Sequence, residues 1–114
     1  MAGRMVLISL KHLLRPDLTP CAKLIAIGLE MDRHLAEWKL RSPSRLRRRL
    51  GPSRTTIRKA LNALAKPGCA QVPDDLSDLV RTGVAVPEDL ITDKTIPAHA
   101  RVMYCILRGL YQLE

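Results

Sequence analysis

A mainly α-helical chain with one small β-hairpin is predicted by three observations. Apolar residues recur at helical spacing over residues 20–39, 42–66 and 97–113, and each run opens on a Ser, Thr or Pro suited to a helix start. The strand-like runs are all short: Met5 to Ile8, Cys69 to Val72 and Leu79 to Val86. The last helix also lies in a segment that repeats the plan of the first, so the chain holds one complete unit and the start of a second.

Met5-Val-Leu-Ile8 reads as a strand, and Ser9 to Leu14 as a turn of helix broken by Arg15-Pro16-Asp17. Thr19 caps a scaffold helix with Pro20 at its first position, running to about Lys39. Leu24, Gly28, Met31, Leu35 and Trp38 form its core stripe, flanked by Cys21 and Ile25. Gly28 costs about 1 kcal/mol relative to Ala in such a position, which points to a close helix crossing. Trp38 is expected at the edge of the core, with its N–H at the rim; the alternative is stacking on a base.

Ser42, with Pro43 behind it, caps a short helix in which Leu46 and Leu50 lie one turn apart, and Gly51 supplies a left-handed exit. Ser53 caps the next, where Ile57, Leu61 and Leu64 recur at core-facing spacing with Ala60 and Ala65 beside them. Helices joined by so tight a turn must cross, as in a helix-turn-helix. Lys66-Pro67-Gly68 stops the second one. Strands at Cys69 to Val72 and Leu79 to Val86 then flank the turn from Pro73 to Asp78, with Met5 to Ile8 as third strand. This order is that of a winged helix, with Asp74, Asp75 and Asp78 making its wing tip a poor phosphate binder.

From Val84 the plan restarts: at an offset of 78, Ala22 aligns with Ala100, Lys23 with Arg101 and Leu29 with Leu107. The expected division is a winged-helix domain over residues 1–83 and a partial second repeat over 84–114, ending in an amphipathic helix.

The formal net charge of +8 is unevenly spread: residues 1–68 carry 15 basic and 4 acidic side chains, residues 69–114 carry 4 and 7. Between Lys39 and Lys66 there are ten basic residues and no acid. A solvated helix surface mixes signs, so this stretch points to a polyanion. With no Phe and 3% aromatics the core must be aliphatic. Cys21, Cys69 and Cys105 sit at no metal or redox spacing and read as structural thiols of a reducing, cytoplasmic compartment. No apolar run approaches the ~20 residues of a membrane span. No paired carboxylates, Cys-His arrangement or Gly-rich phosphate loop marks an enzyme, and no cofactor is expected.

The run Gly51-Pro-Ser-Arg-Thr-Thr-Ile-Arg-Lys-Ala-Leu61, with Leu46 to Leu50 before it and Leu18-Thr-Pro-Cys-Ala-Lys-Leu-Ile25 for the first helix, resembles the winged-helix domains of bacterial plasmid and phage replication initiators and related regulators. The resemblance covers residues 5–72, and residues 84–113 resemble the start of another such domain. Its Gly-x-Ser-x-x-Thr-Ile-Arg-x-Ala-Leu core is more specific for a fold than for a biological role. Arg47 stands where similar sequences place a small residue, and Pro52 where they place an aliphatic. The resemblance implies action in replication, partition or transcriptional regulation, in association with nucleoid or plasmid.

With Ile57, Leu61 and Leu64 inward, Arg54, Thr55, Arg58, Lys59 and Asn62 face outward for double-stranded DNA. Arg suits guanine O6 and N7, Asn suits adenine and Thr the thymine methyl. Ser42, Ser44, Arg45, Arg48, Arg49, Ser53 and Lys66 are expected at phosphates. Val102, Met103, Ile106, Leu107, Leu110 and Leu113 form an apolar stripe that must be covered by the chain's own first domain or by another copy. A homodimer is expected, with Tyr104 and Tyr111 at or near its interface. The alternative is a winged-helix protein-interaction module within a replication or partition assembly.

Overall fold

Hydroxyl caps fix where the long helices begin. The computed structural model describes residues 4–68 and 83–112. In helix α1 (Pro20–Met31) Thr19 Oγ1 accepts from the Ala22 N–H at 3.1 Å. In α3 (Pro43–Leu50) Ser42 accepts from Arg45 N–H at 3.4 Å, and in α4 (Arg54–Ala65) Ser53 accepts from Thr56 N–H at 3.2 Å. Each hydroxyl satisfies a donor that the first helical turn leaves open, and Pro20 and Pro43 occupy positions where no N–H is needed. Gly51 ends α3 at φ 108°, a backbone that a side chain would strain, and its N–H reaches Arg47 O at 2.9 Å.

The molecule is mainly α-helical with a small two-stranded antiparallel sheet. Strand β1 (Met5–Ile8) pairs with β2 (Val84–Pro87) in the register Val6↔Val86 and Ile8↔Val84. The period-2 alternation turns these four β-branched side chains into the core and leaves Met5 and Leu7 exposed. The expected strand at Cys69 to Val72, the acidic turn and the first part of the Leu79 to Val86 strand lie outside the described residues.

The scaffold helix is shorter than its apolar stripe suggests. Instead of reaching Lys39, α1 stops at Met31, the backbone turns through residues 32–36, and a four-residue helix α2 (Glu37–Leu40) follows. Asp32 stands at the end of this helix, and its carboxylate is taken by two guanidinium groups of α3. In α2 the buried side chain is Leu40, and Trp38, expected at the core edge, is 80% exposed.

Among the described residues, a second short helix, α5 (Glu88–Ile91), and the long α6 (Ala98–Gln112) follow β2. Both join the first unit's core: Val84, Val86, Ile91, Val102 and Cys105 are buried in one cluster with Ile8, Leu24, Ile25, Leu46, Leu50 and Ile57. The internal repeat is built into this arrangement. Leu7 and Ala85 occupy equivalent positions of the two copies and sit directly opposite each other in the sheet, while α6 packs on α1. Arg101, buried, donates from Nη1 to Leu50 O at 2.8 Å and Ile91 O at 2.9 Å, so one cation caps the C-terminal ends of α3 and α5. Burial also pushes the Cys105 thiol up to about 12, which leaves it protonated.

The expected close crossing at Gly28 lies between α1 and α3: a β-carbon there would come within 2.5 Å of Leu50 Cδ1, inside fully buried surroundings. Gly28→Val is expected to destabilise the fold by about 1–3 kcal/mol through overpacking. Adding Leu50→Ala should cost less in the Gly28→Val background than in the parent, read as non-additivity in a urea-denaturation cycle.

Candidate nucleic-acid interface

Helix α4 presents two unlike faces. Ile57 and Ala60 are buried, with Leu61, Ala63 and Leu64 packed against the core, whereas Arg54, Thr55, Arg58, Lys59 and Asn62 are all exposed. These five residues share one face because the positions that pack inward follow helical spacing, and no acidic residue lies on α3, on α4 or between them. Arg47 is exposed too, so it points away from the α3–α4 contact.

The expected phosphate contacts divide into two groups. Ser44, Arg48 and Lys66 are exposed. Arg45 and Arg49 are instead held inside the protein. Arg45 donates to Asp32 Oδ2 at 2.8 Å, Lys39 O at 3.0 Å and Leu40 O at 2.9 Å, and so caps α2 as well as meeting the carboxylate. Arg49 grips Asp32 at 2.8 and 3.0 Å and also reaches Glu88 on α5, whose other oxygen accepts from Arg4 at 2.8 Å. Guanidinium groups engaged in this way have fewer N–H groups left for a phosphate. Ser42 and Ser53 are likewise occupied as caps, and the Ser53 hydroxyl lies 2.9 Å from that of Thr56.

Asp32 holds this network together. Burial alone would raise its carboxyl, but hydrogen bonds and charge from Arg49 and Arg45 outweigh that and keep it below the usual carboxylate range. Glu88 is lowered chiefly by the hydrogen bond from Arg49.

Lys94, on the loop after α5, completes a feature that no local pattern marks. Its side chain lies over the α3–α4 turn, where a β-carbon on Gly51 would be 3.3 Å from Lys94 Cγ. With Arg45, Arg48, Arg49 and Thr92 it lines an open cleft of about 400 Å³. The basic surface of the helix pair therefore gains a cation from the second repeat. On the other side of α4, a mostly apolar groove of about 590 Å³ runs between the starts of α1 and α6, with Lys59 and Thr56 on its wall.

The stripe expected at a dimer interface is also divided. Val102 is buried in its own chain's core and cannot meet another copy, and Ile106 is partly buried there. Met103, Leu107 and Leu110 are 53%, 48% and 42% exposed, with Tyr111 at 74% and Tyr104 packed against the core; Leu113 lies outside the described residues. Among the described residues no group of three or more His, Cys, Asp or Glu side chains could hold a metal, and no helix is long and apolar enough to cross a membrane. No protein-family model, curated protein or solved structure matches the chain.

The folded pKa of Asp32 lies below its unfolded value, so its stabilisation is present above that value, near ~3.9, and lost as pH falls through the folded one. Asp32→Ala leaves two part-buried arginines without their shared partner and is expected to cost about 3 kcal/mol at neutral pH. The difference from the parent should shrink below about pH 4, measured by urea denaturation across a pH series.

Proposed function

We propose that this chain is a DNA-binding protein of winged-helix type that reads duplex DNA with α4 in the major groove. The observation that carries this reading is the exposed set Arg54, Thr55, Arg58, Lys59 and Asn62 on a helix whose opposite face is fixed in the core. Rigid backing matters because base reading needs side chains held in register with base edges. Arg54, Thr55 and Arg58 lie in the first turns, where a recognition helix meets bases, and Asn62 lies deeper along it. Ser44, Arg47, Arg48, Lys66 and Lys94 supply the phosphate contacts, while Arg45 and Arg49 act indirectly by fixing α3. A cytoplasmic role in plasmid- or phage-type replication, partition or transcriptional regulation follows from the sequence resemblance.

The same reading includes a homodimer through the outer face of α6. It is supported by the exposed side chains of Met103, Leu107, Leu110 and Tyr111, an apolar set that is unusual in water. Two copies would present two α4 helices to half-sites about 34–36 Å apart or a multiple of that spacing.

Two measurements test these statements. Binding to duplex DNA is expected to fall between about 50 and about 200 mM salt with a slope near −0.9 per phosphate contact, and an Arg54→Ala, Arg58→Ala double variant should bind markedly more weakly. No binding at the lowest salt would sink the DNA reading and favour an acidic protein partner. By light scattering at tens of micromolar concentration the parent should run as a dimer and a Leu107→Glu, Leu110→Glu variant as a monomer; a monomeric parent removes the dimer.

A further inference from the structure

We propose that Trp38 is a stacking platform for an unpaired nucleobase, with Lys39 and Arg41 beside it for the adjoining phosphates. This gives the protein a single-strand contact separate from the face of α4. The inference rests on the reading of the chain as a nucleic-acid binder, and extends it from duplex to unpaired DNA.

Trp38 is out of keeping with its position. It is the chain's one tryptophan and its largest apolar side chain, yet it is 80% exposed while the small α2 buries Leu40 instead. The exposure does not come from a loose segment. Arg45 holds the carbonyls of Lys39 and Leu40 at 3.0 and 2.9 Å and is itself held by Asp32 at 2.8 Å, so the ring stands on a helix locked to the core. A ring carried on a fixed backbone loses less motion on contact than one on a loose segment, which favours it as a stacking surface.

The surroundings select the partner. Leu35 is half-buried and Leu40 buried; the exposed neighbours in sequence, Arg33, His34, Ala36, Glu37, Lys39 and Arg41, include no large apolar side chain. A protein-binding hot spot would be ringed by further apolar contacts that exclude water, and these neighbours supply none. An aromatic face with cations next to it fits a flat base joined to an anionic backbone. Arg41 lies three residues beyond Trp38 and so adjoins it on the helix surface. Its pairing with Glu37 at 2.6 Å is solvent-exposed on both sides, an interaction readily exchanged for a phosphate.

The full chain supplies its own reporter, because all indole emission arises from Trp38. Titration with an oligothymidylate is expected to quench that emission, and inorganic phosphate at matched ionic strength to leave it unchanged. With a labelled oligothymidylate followed by anisotropy, Trp38→Ala should weaken binding roughly tenfold and Trp38→Phe much less, while affinity for a blunt duplex stays within about twofold. An Arg54→Ala, Arg58→Ala variant should keep the quenching and lose duplex binding. The inference is overturned if the oligothymidylate binds without quenching or binds Trp38→Ala as well as the parent. It is also overturned if emission responds to the duplex alone, or to protein concentration without DNA, as burial by a second copy would produce. Duplex binding without single-strand binding removes this inference alone; binding to neither removes the DNA reading with it.

Discussion

A single buried carboxylate sets the geometry of the basic half of this protein. Asp32 sits between Arg45 and Arg49, and neither partner is dispensable to it: an ionised carboxylate that is almost wholly shielded from water is strongly disfavoured without opposite charge and hydrogen bonds. Meeting that requirement, at the residue where α1 ends, holds the α3 side carrying Arg45 and Arg49 against the scaffold. Glu88 and Arg4 extend the arrangement to the second repeat and the first strand. The orientation of α4 follows, since α4 is joined to α3 by a three-residue turn and shares its core contacts.

This network also changes how the charge of the helix pair should be counted. Ten cations in a run of sequence suggest a uniformly basic surface, but three of them are paired with acids outside the run: Arg45 and Arg49 with those at positions 32 and 88, and Arg41 with Glu37 at the surface. What is left exposed is more selective: one side of α4, part of α3, Lys39 and Arg41 at α2, and Lys94 beside the turn. Charge concentrated in that way gives a defined contact rather than a diffuse attraction.

The parts legible in the sequence were those governed by neighbours along the chain. Thr19, Ser42 and Ser53 cap helices as their types suggest, Gly51 takes the positive φ that the turn needs, and Gly28 admits Leu50 at a crossing. The outward set on α4 was legible because the inward set obeys a period. The parts that were not legible depend on distance in sequence. Asp32 meets partners 13 and 17 residues away, Arg101 caps a carbonyl 51 residues earlier, and Lys94 reaches the turn from the second repeat. The stripe from Leu24 to Trp38 misled because its period continues past Met31 while the helix stops there, before Asp32, whose partners lie on α3. That Leu7 and Ala85, aligned in the sequence, face each other in one sheet was not legible.

The buried guanidinium of Arg101 bears on how little of this chain could stand alone. Leu50 O, at the very end of α3, has its contact from a side chain on α6, and the inward faces of Val6 and Ile8 have theirs from Val84 and Val86. A fragment ending before residue 83 would expose that strand face to water and leave the last carbonyl of α3 without its cation. The helix pair is thus not a portable module that residues 84–112 merely follow. It shares one core cluster with side chains of residues 84–112.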